Sequence, residues 1–289
     1  MLYQKRRIFL VGALVLSAGL SEAQVHRTFV SVNGNDGNDC LTPASACRTI
    51  NAAVTKVDAD GEVIIASTGS YAGAAITKSV RVNAPSGIVA FAALPITINA
   101  PAANVVIRGF TIKAVTPGAG TGIAVTAVGT LLLENMVVDG WATGVSTPAG
   151  KISVADSTFR NNTSFGFLAG SAGSVSVVRS QFENNFNGFV TAGGAVGSVS
   201  RSSATGNSNV GFAASGAGSV LAVDRCQASG NGKGVNAETG GLLRLANSSV
   251  SGNTIGVQNV GSTIESFGTS GIRGNTTNIS GALTAVVLQ

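Results

Sequence analysis

Apolar and polar positions recur along most of the chain with one fixed spacing. Asn162, Asn185, Asn207, Asn231, Asn253 and Asn275 are separated by 23, 22, 24, 22 and 22 residues. A second column, Gly122, Gly144, Gly166, Gly188, Gly211, Gly234 and Gly256, keeps intervals of 22, 22, 22, 23, 23 and 22. Between these markers lie short apolar segments. Ile152/Val154, Val175/Val177, Leu221/Val223 and Leu243/Leu245 alternate with small polar residues, the period of a half-buried strand. Val137, Phe159, Phe182, Ala204, Ala228 and Val250 form a second inward column, and Val145, Phe167, Phe189, Phe212, Val235 and Val257 a third. Three short strands in every 22 to 24 residues predict an all-β, three-sided solenoid of parallel strands. One rung cannot bury its own apolar face; rungs stacked about 4.8 Å apart can. A leucine-rich solenoid is excluded, because its leucine framework is missing.

The polar columns fit the same geometry. The asparagines are expected in a turn, with their amides bonded along the solenoid axis. The glycines are expected to supply positive φ or close approach between rungs, and asparagine tolerates the left-handed region where glycine is absent. Asn135, Ser157, Ser180, Ser202, Cys226 and Ser248 align as a small inward column, which makes Cys226 a buried substitute for serine.

Ahead of the repeat the pattern changes. Residues 28–32 read as a strand, 33–39 as a turn cluster, and 48–54 as a short helix with Thr49 as N-cap. Ile50, Ala53, Val54 and Val57 share one helical face, suited to covering the open end of the coil. The reading divides the chain into a signal peptide at 1–23, an N-terminal cap at 24–60 and the solenoid at 61–289. At the other end, residues 280–289 are apolar and strand-like. Either Val286 to Leu288 fold back over the core, or this end meets another molecule, end to end.

The run Thr28-Phe29-Val30-Ser31, Gly34-Asn35-Asp36, Cys40, Cys47-Arg48-Thr49-Ile50, Gly61-Glu62-Val63-Ile64 and Gly69-Ser70-Tyr71 resembles the cap and first coil of the pectin-lyase-like superfamily. It is most similar to bacterial exported members carrying a right-handed parallel β-helix. The resemblance implies that fold; it says little about activity, because lyases, hydrolases, epimerases, esterases and adhesins share it.

Composition narrows the compartment and the chemistry. Lys5-Arg6-Arg7, the apolar run from Ile8 to Leu20 and Ser21-Glu22-Ala23 have the form of a secretory signal; an uncleaved anchor is the alternative. No second run of spanning length follows, so no membrane span is expected in the mature chain. Export implies a secreted, periplasmic or cell-surface protein, and a compartment where Cys40 and Cys47 can form a disulfide closing a small loop. Losing residues 1–23 removes three positive charges and one negative, so the net charge of +5 becomes +3. That is too dilute for a nucleic-acid partner. The one histidine, His26, leaves no metal site near the cysteines.

Candidate chemistry reduces to one outer column: Glu134, Asp156, Arg179, Arg201, Arg225 and Asn247. Two carboxylates followed by three arginines could grip an acidic polysaccharide, the guanidinium groups pairing with uronates; solvated turn residues with a surface ion pair are the plainer reading. Tyr71 and Trp141 are candidate sugar-stacking rings. The acidic loop Asn33 to Asp39 superficially suggests Ca²⁺ but lacks the EF-hand spacing and its bidentate Glu, so no cofactor is expected and a turn held by Asx side chains is. The Asp-Asp, Gly-His-Gly and Arg-Ile-Lys motifs of polygalacturonase-like members and the Asp-Pro-His-Glu of epimerase-like ones are absent. The sequence therefore favours an exported, non-catalytic β-helix that binds a glycan or surface partner, or serves structurally or in adhesion. The alternative is a polysaccharide lyase or hydrolase acting on an acidic polymer through Arg179, Arg201 or Arg225 with Asp156 or Glu134.

Overall fold

The computed structural model describes residues 25–171 and 173–287; the proposed signal segment lies outside them. Among the described residues one helix, Ile50–Lys56, precedes a solenoid whose strands pair in parallel, each with the equivalent strand of the next rung. The first face carries strands such as Lys151–Ala155, Ser174–Val178 and Val196–Ser200. The second carries three-residue strands such as Thr158–Arg160 and Gln181–Glu183. The third carries Phe165–Ala169, Asn187–Ala192 and Val210–Ser215. Two long strands, Ile96–Arg108 and Thr121–Glu134, run from the third face into the first. They join those faces into a 20-stranded sheet, and the second face forms its own 10-stranded sheet.

Burial alternates as the period-2 pattern requires. Ile152, Val154, Val175, Val177, Leu221, Val223, Leu243 and Leu245 point inward. The third face sends in Val145, Phe167, Phe189, Phe212, Val235 and Val257 in one register. Phe159 stacks on Phe182 with centroids 5.2 Å apart and meets Phe167 edge-on at 5.7 Å, so the mid-coil is filled by aromatic columns.

The asparagine column is a buried amide ladder. Asn185 Oδ1 accepts the Asn162 backbone N–H at 3.0 Å and the Asn162 Nδ2 at 2.8 Å. Asn185 Nδ2 donates to Asn207 Oδ1 and to the Phe159 carbonyl, both at 3.0 Å. The motif repeats through Asn207, Asn231, Asn253 and Asn275. The left-handed residue sits just before the ladder, as Asn161 (φ 55°) and Asn184 (φ 52°), then as glycine in later rungs. The glycine column after the ladder serves close approach and not positive φ. A Cβ on Gly166 would lie 2.8 Å from the Gly188 carbonyl oxygen and 3.0 Å from Asn185 Nδ2.

Three alignments shift by one residue. The rung before Asn162 is a residue short, with Met136 facing Ser157 and Trp141 facing Asn162 at a separation of 21. Val138, not Val137, is therefore the inward partner of Phe159. Met136, not Asn135, precedes Ser157 in the small column. Glu134 pairs with Ala155 and leaves the outer row, where Asn135 takes its place beside Asp156. In a strand, a one-residue slip reverses which face a side chain occupies.

At the N-terminal end, Thr49 caps the helix: its hydroxyl accepts the Ala52 N–H at 3.2 Å, and Ile50, Ala53 and Val54 are buried. Arg27–Val30 pairs in parallel with Gly61–Ile65. The Cys40–Cys47 disulfide is formed beneath the helix. At the far end, Thr284–Ala285 pairs with Glu265–Ser266, and Val287 is exposed. The final strand thus extends the first face and does not fold back over the core; Leu288 lies outside the described residues.

Candidate functional site

The corner between the first and second faces is turned by a single left-handed residue in six successive rungs. In order these are Asn135 (φ 53°), Asp156 (51°), Arg179 (49°), Arg201 (49°), Arg225 (52°) and Asn247 (49°). After four of these corners, Asp156, Arg179, Arg201 and Asn247, comes a serine that ties two rungs together. The Ser157 N–H donates to Ser180 Oγ at 3.2 Å, and the Ser180 N–H to Ser202 Oγ at 3.0 Å. Cys226 holds the next slot, and its N–H donates to Ser248 Oγ at 3.0 Å. Burial pushes the Cys226 thiol up to about 11, with backbone hydrogen bonds at Ser202 and Asp224 pulling the other way. It is buried and protonated at neutral pH, unsuited to nucleophilic work.

Arg179, Arg201 and Arg225 form one bank of an open groove of about 530 Å³. Its floor is Ser180, Ser202 and Cys226, and Gln181, Ser203 and Gln227 stand opposite. The three guanidinium groups differ in their commitments. Arg179 grips Asp156 with two 2.7 Å bonds. The Arg179 hydrogen bond holds the Asp156 carboxyl below its ordinary range, and the same pair raises Arg179. Arg225 reaches Asp224 only at 3.9 Å, while Asp224 accepts the Asn247 amide at 2.7 Å. Arg201 makes no ion pair among the described residues. Glu134 pairs with Arg108 at 2.6 Å, one residue before the corner row, with its charge still acting on Arg179. The sequence-predicted row is thus brought together with the exception of Glu134.

The two aromatic candidates are placed elsewhere. Tyr71 is 1% exposed, its hydroxyl donating to the Ser67 carbonyl at 2.6 Å. Trp141 is 5% exposed and sits in the asparagine slot of its rung. Its N–H is taken by Asn162 Oδ1 at 3.0 Å, and its indole N–H donates to the Ile112 carbonyl at 3.2 Å. Neither ring offers a face to a sugar. In the acidic loop, Asp36 Oδ1 accepts the backbone N–H groups of Arg48 and Thr49, both at 2.8 Å. Burial would raise its pKa, but those bonds and the Thr49 hydroxyl outweigh it and lower it. Asp39 is lowered by the Ser45 hydroxyl at 2.6 Å and the Leu41 N–H. These carboxylates bind the turn itself, and among the described residues no three His, Cys, Asp or Glu side chains gather as metal ligands.

Sequence reasoning missed the outside of the third face. Its strands Asn187–Ala192 and Val210–Ser215 are buried on both sides over their first five residues, where the first face alternates. Val190, Val210 and Ala213 form a separate apolar cluster there, with Phe165 and Leu168 against it. The available signal was Phe165, Leu168, Val190 and Val210 at outward positions where polar residues were due.

Several comparisons bear on the scaffold. The family described as the right-handed β-helix region matches residues 96–277. No curated protein matches the chain. Among solved structures, it is similar to the pectate lyase Pel9A at 16% identity and a TM-score of 0.54, over 92% of this chain and 78% of that one. It is also similar to tailspike protein 2 of Escherichia coli O157:H7 bacteriophage CAB120 at 12% identity and a TM-score of 0.60, over 86% of this chain but 41% of that one. At these identities the likeness is one of fold. With the parallel rungs, the three faces and the amide ladder, the match over most of the coil establishes that the chain belongs to the right-handed β-helix family.

Proposed function

We propose that the protein is an exported glycan-binding β-helix that holds an acidic polysaccharide along the arginine strip without cleaving it. One observation carries the reading: Arg179, Arg201 and Arg225 occupy left-handed corners. A non-glycine residue held there costs on the order of 1–3 kcal/mol. At the neighbouring corner the chain uses only Asn or Gly, which tolerate that backbone. Arginine at three successive rungs, about 4.8 Å apart along the backbone, keeps the strain and gains a row of guanidinium groups, of which Arg201 and Arg225 lack a close ion pair. Repeated carboxylates along an extended polymer are the natural complement, each a charge-assisted, bidentate partner.

The strip does not favour turnover. Asp156 is ion-paired and its pKa is lowered, so it is a poor general acid. Glu134 is ion-paired with Arg108. The groove is an open corner, while catalytic pockets are concave. A pectate lyase shares this scaffold, which is consistent with the reading. The disulfide fits an oxidising compartment. Incubation with pectate and alginate tests the claim: binding that weakens with salt, without unsaturated products or new reducing ends, is expected. Turnover abolished by Arg201→Ala would instead establish the lyase alternative.

A further inference from the structure

We infer that the concave outside of the third face is a second glycan subsite, built for one uncharged pyranose ring and independent of the arginine strip. The pocket encloses about 170 Å³. Its floor is Val190, Val210 and Ala213, each 5% exposed or less, with Phe165 and Leu168 at the rim. Apolar side chains on the outer surface of a β-solenoid gain nothing from the core; here they line a hollow.

The polar side of the hollow points to the ligand. Asn236 is 2% exposed and lines the pocket, and its Oδ1 has no hydrogen-bond partner. Its orientation is fixed, because Nδ2 donates to Glu238 Oε2 at 3.0 Å and a carboxylate only accepts. An orphaned buried acceptor is costly until a donor arrives. Glu238 adds further acceptor capacity beside it, taking also the Ser215 hydroxyl at 3.3 Å. The neighbouring Asn187 is already satisfied, accepting from Asn209 at 2.7 Å and donating to the Ser164 carbonyl at 3.0 Å.

The site therefore asks for a ligand with one apolar face and donor groups along an edge. A pyranose presents both: its C–H face rests on aliphatic and aromatic carbon, and its hydroxyls donate. Glu238 is the one charged side chain among the described lining residues, so a uronate is repelled and an uncharged sugar is favoured.

The test uses the full chain, ¹⁵N-labelled and titrated with maltohexaose, cellohexaose, mannohexaose and chitohexaose, with oligogalacturonate as competitor. Shifts of the Asn236 side-chain amide and the Ala213 N–H are expected with at least one neutral sugar. Glu238→Gln and Asn236→Leu should each weaken that binding about tenfold or more. Arg201→Asn should leave it unchanged, and oligogalacturonate should not displace it. Four inert neutral sugars, or binding that survives both variants, overturns the proposal. So does a dimer in sedimentation that Val190→Asp dissociates, since a second copy would then fill the hollow. Loss of oligogalacturonate binding alone would count against the arginine strip and leave this subsite standing.

Discussion

Replacing Asn207 by alanine removes the centre of the amide ladder. Its Oδ1 accepts the Asn185 backbone N–H and the Asn185 Nδ2, both at 3.0 Å. Its Nδ2 donates to the Phe182 carbonyl at 3.0 Å and to Asn231 Oδ1 at 2.9 Å. Asn207 is 0% exposed, so water cannot enter to repair the loss without opening the coil. The Asn185 N–H and the Phe182 carbonyl are left as buried orphans, each costing about 1–3 kcal/mol. The expected destabilisation is about 3–5 kcal/mol. Asn275, at the exposed end of the ladder, should lose about 1 kcal/mol or less by the same change, because solvent replaces its partners. Urea unfolding of both variants measures the contrast, and hydrogen exchange should show rungs on both sides of Asn207 opening together. A loss below about 1 kcal/mol at Asn207, or equal losses at the two sites, would refute the claim that the ladder is a cooperative, desolvated spine.

Other consequences are nearer to single bonds. Cys226→Ser should restore an Oγ acceptor in the serine column and stabilise by about 1 kcal/mol in thermal melts. The wild-type thiol is raised to about 11 from 9.0, so its contribution is intact below pH 9 and lost as pH rises toward 11; the serine variant should show a flatter stability profile across that window. Asp156 has a lowered pKa, so its contribution is present at neutral pH and lost as pH falls through the acid range; Asp156→Asn should remove that part of the acid sensitivity. Opening the disulfide through Cys40→Ser with Cys47→Ser should cost about 2 kcal/mol, read by urea titration.

The coil was legible because its columns are redundant. Phe167, Phe189 and Phe212 mark the inner third face, and the asparagines mark the turn, each confirming the other's period. The Glu134 row failed where that redundancy stops. The rung ending at Trp141 is short, and Trp141 hides the ladder by standing in for asparagine. Counting back from Asn162 could not reveal this while an indole was read as a surface ring. Tyr71 failed similarly: read as a sugar-stacking ring, it is buried, with its hydroxyl satisfied by Ser67 inside the first rung. The apolar outside of the third face was legible in Phe165, Leu168, Val190 and Val210, but its hollow was not, because alternation says nothing about the curvature outside. The different states of the three arginines were also beyond sequence, since they depend on which carboxylate each rung happens to present.

The central claim is that arginine at these corners is kept for a ligand at the expense of backbone strain. The most direct measurement is Arg201→Asn with Arg225→Asn, followed by both unfolding and titration with polygalacturonate at low and high salt. Asparagine accepts the left-handed backbone, so stability should be unchanged or higher by on the order of 1 kcal/mol. Affinity should fall about a hundredfold, and its salt dependence should weaken with it. A variant that binds polygalacturonate as tightly as the parent would contradict the account.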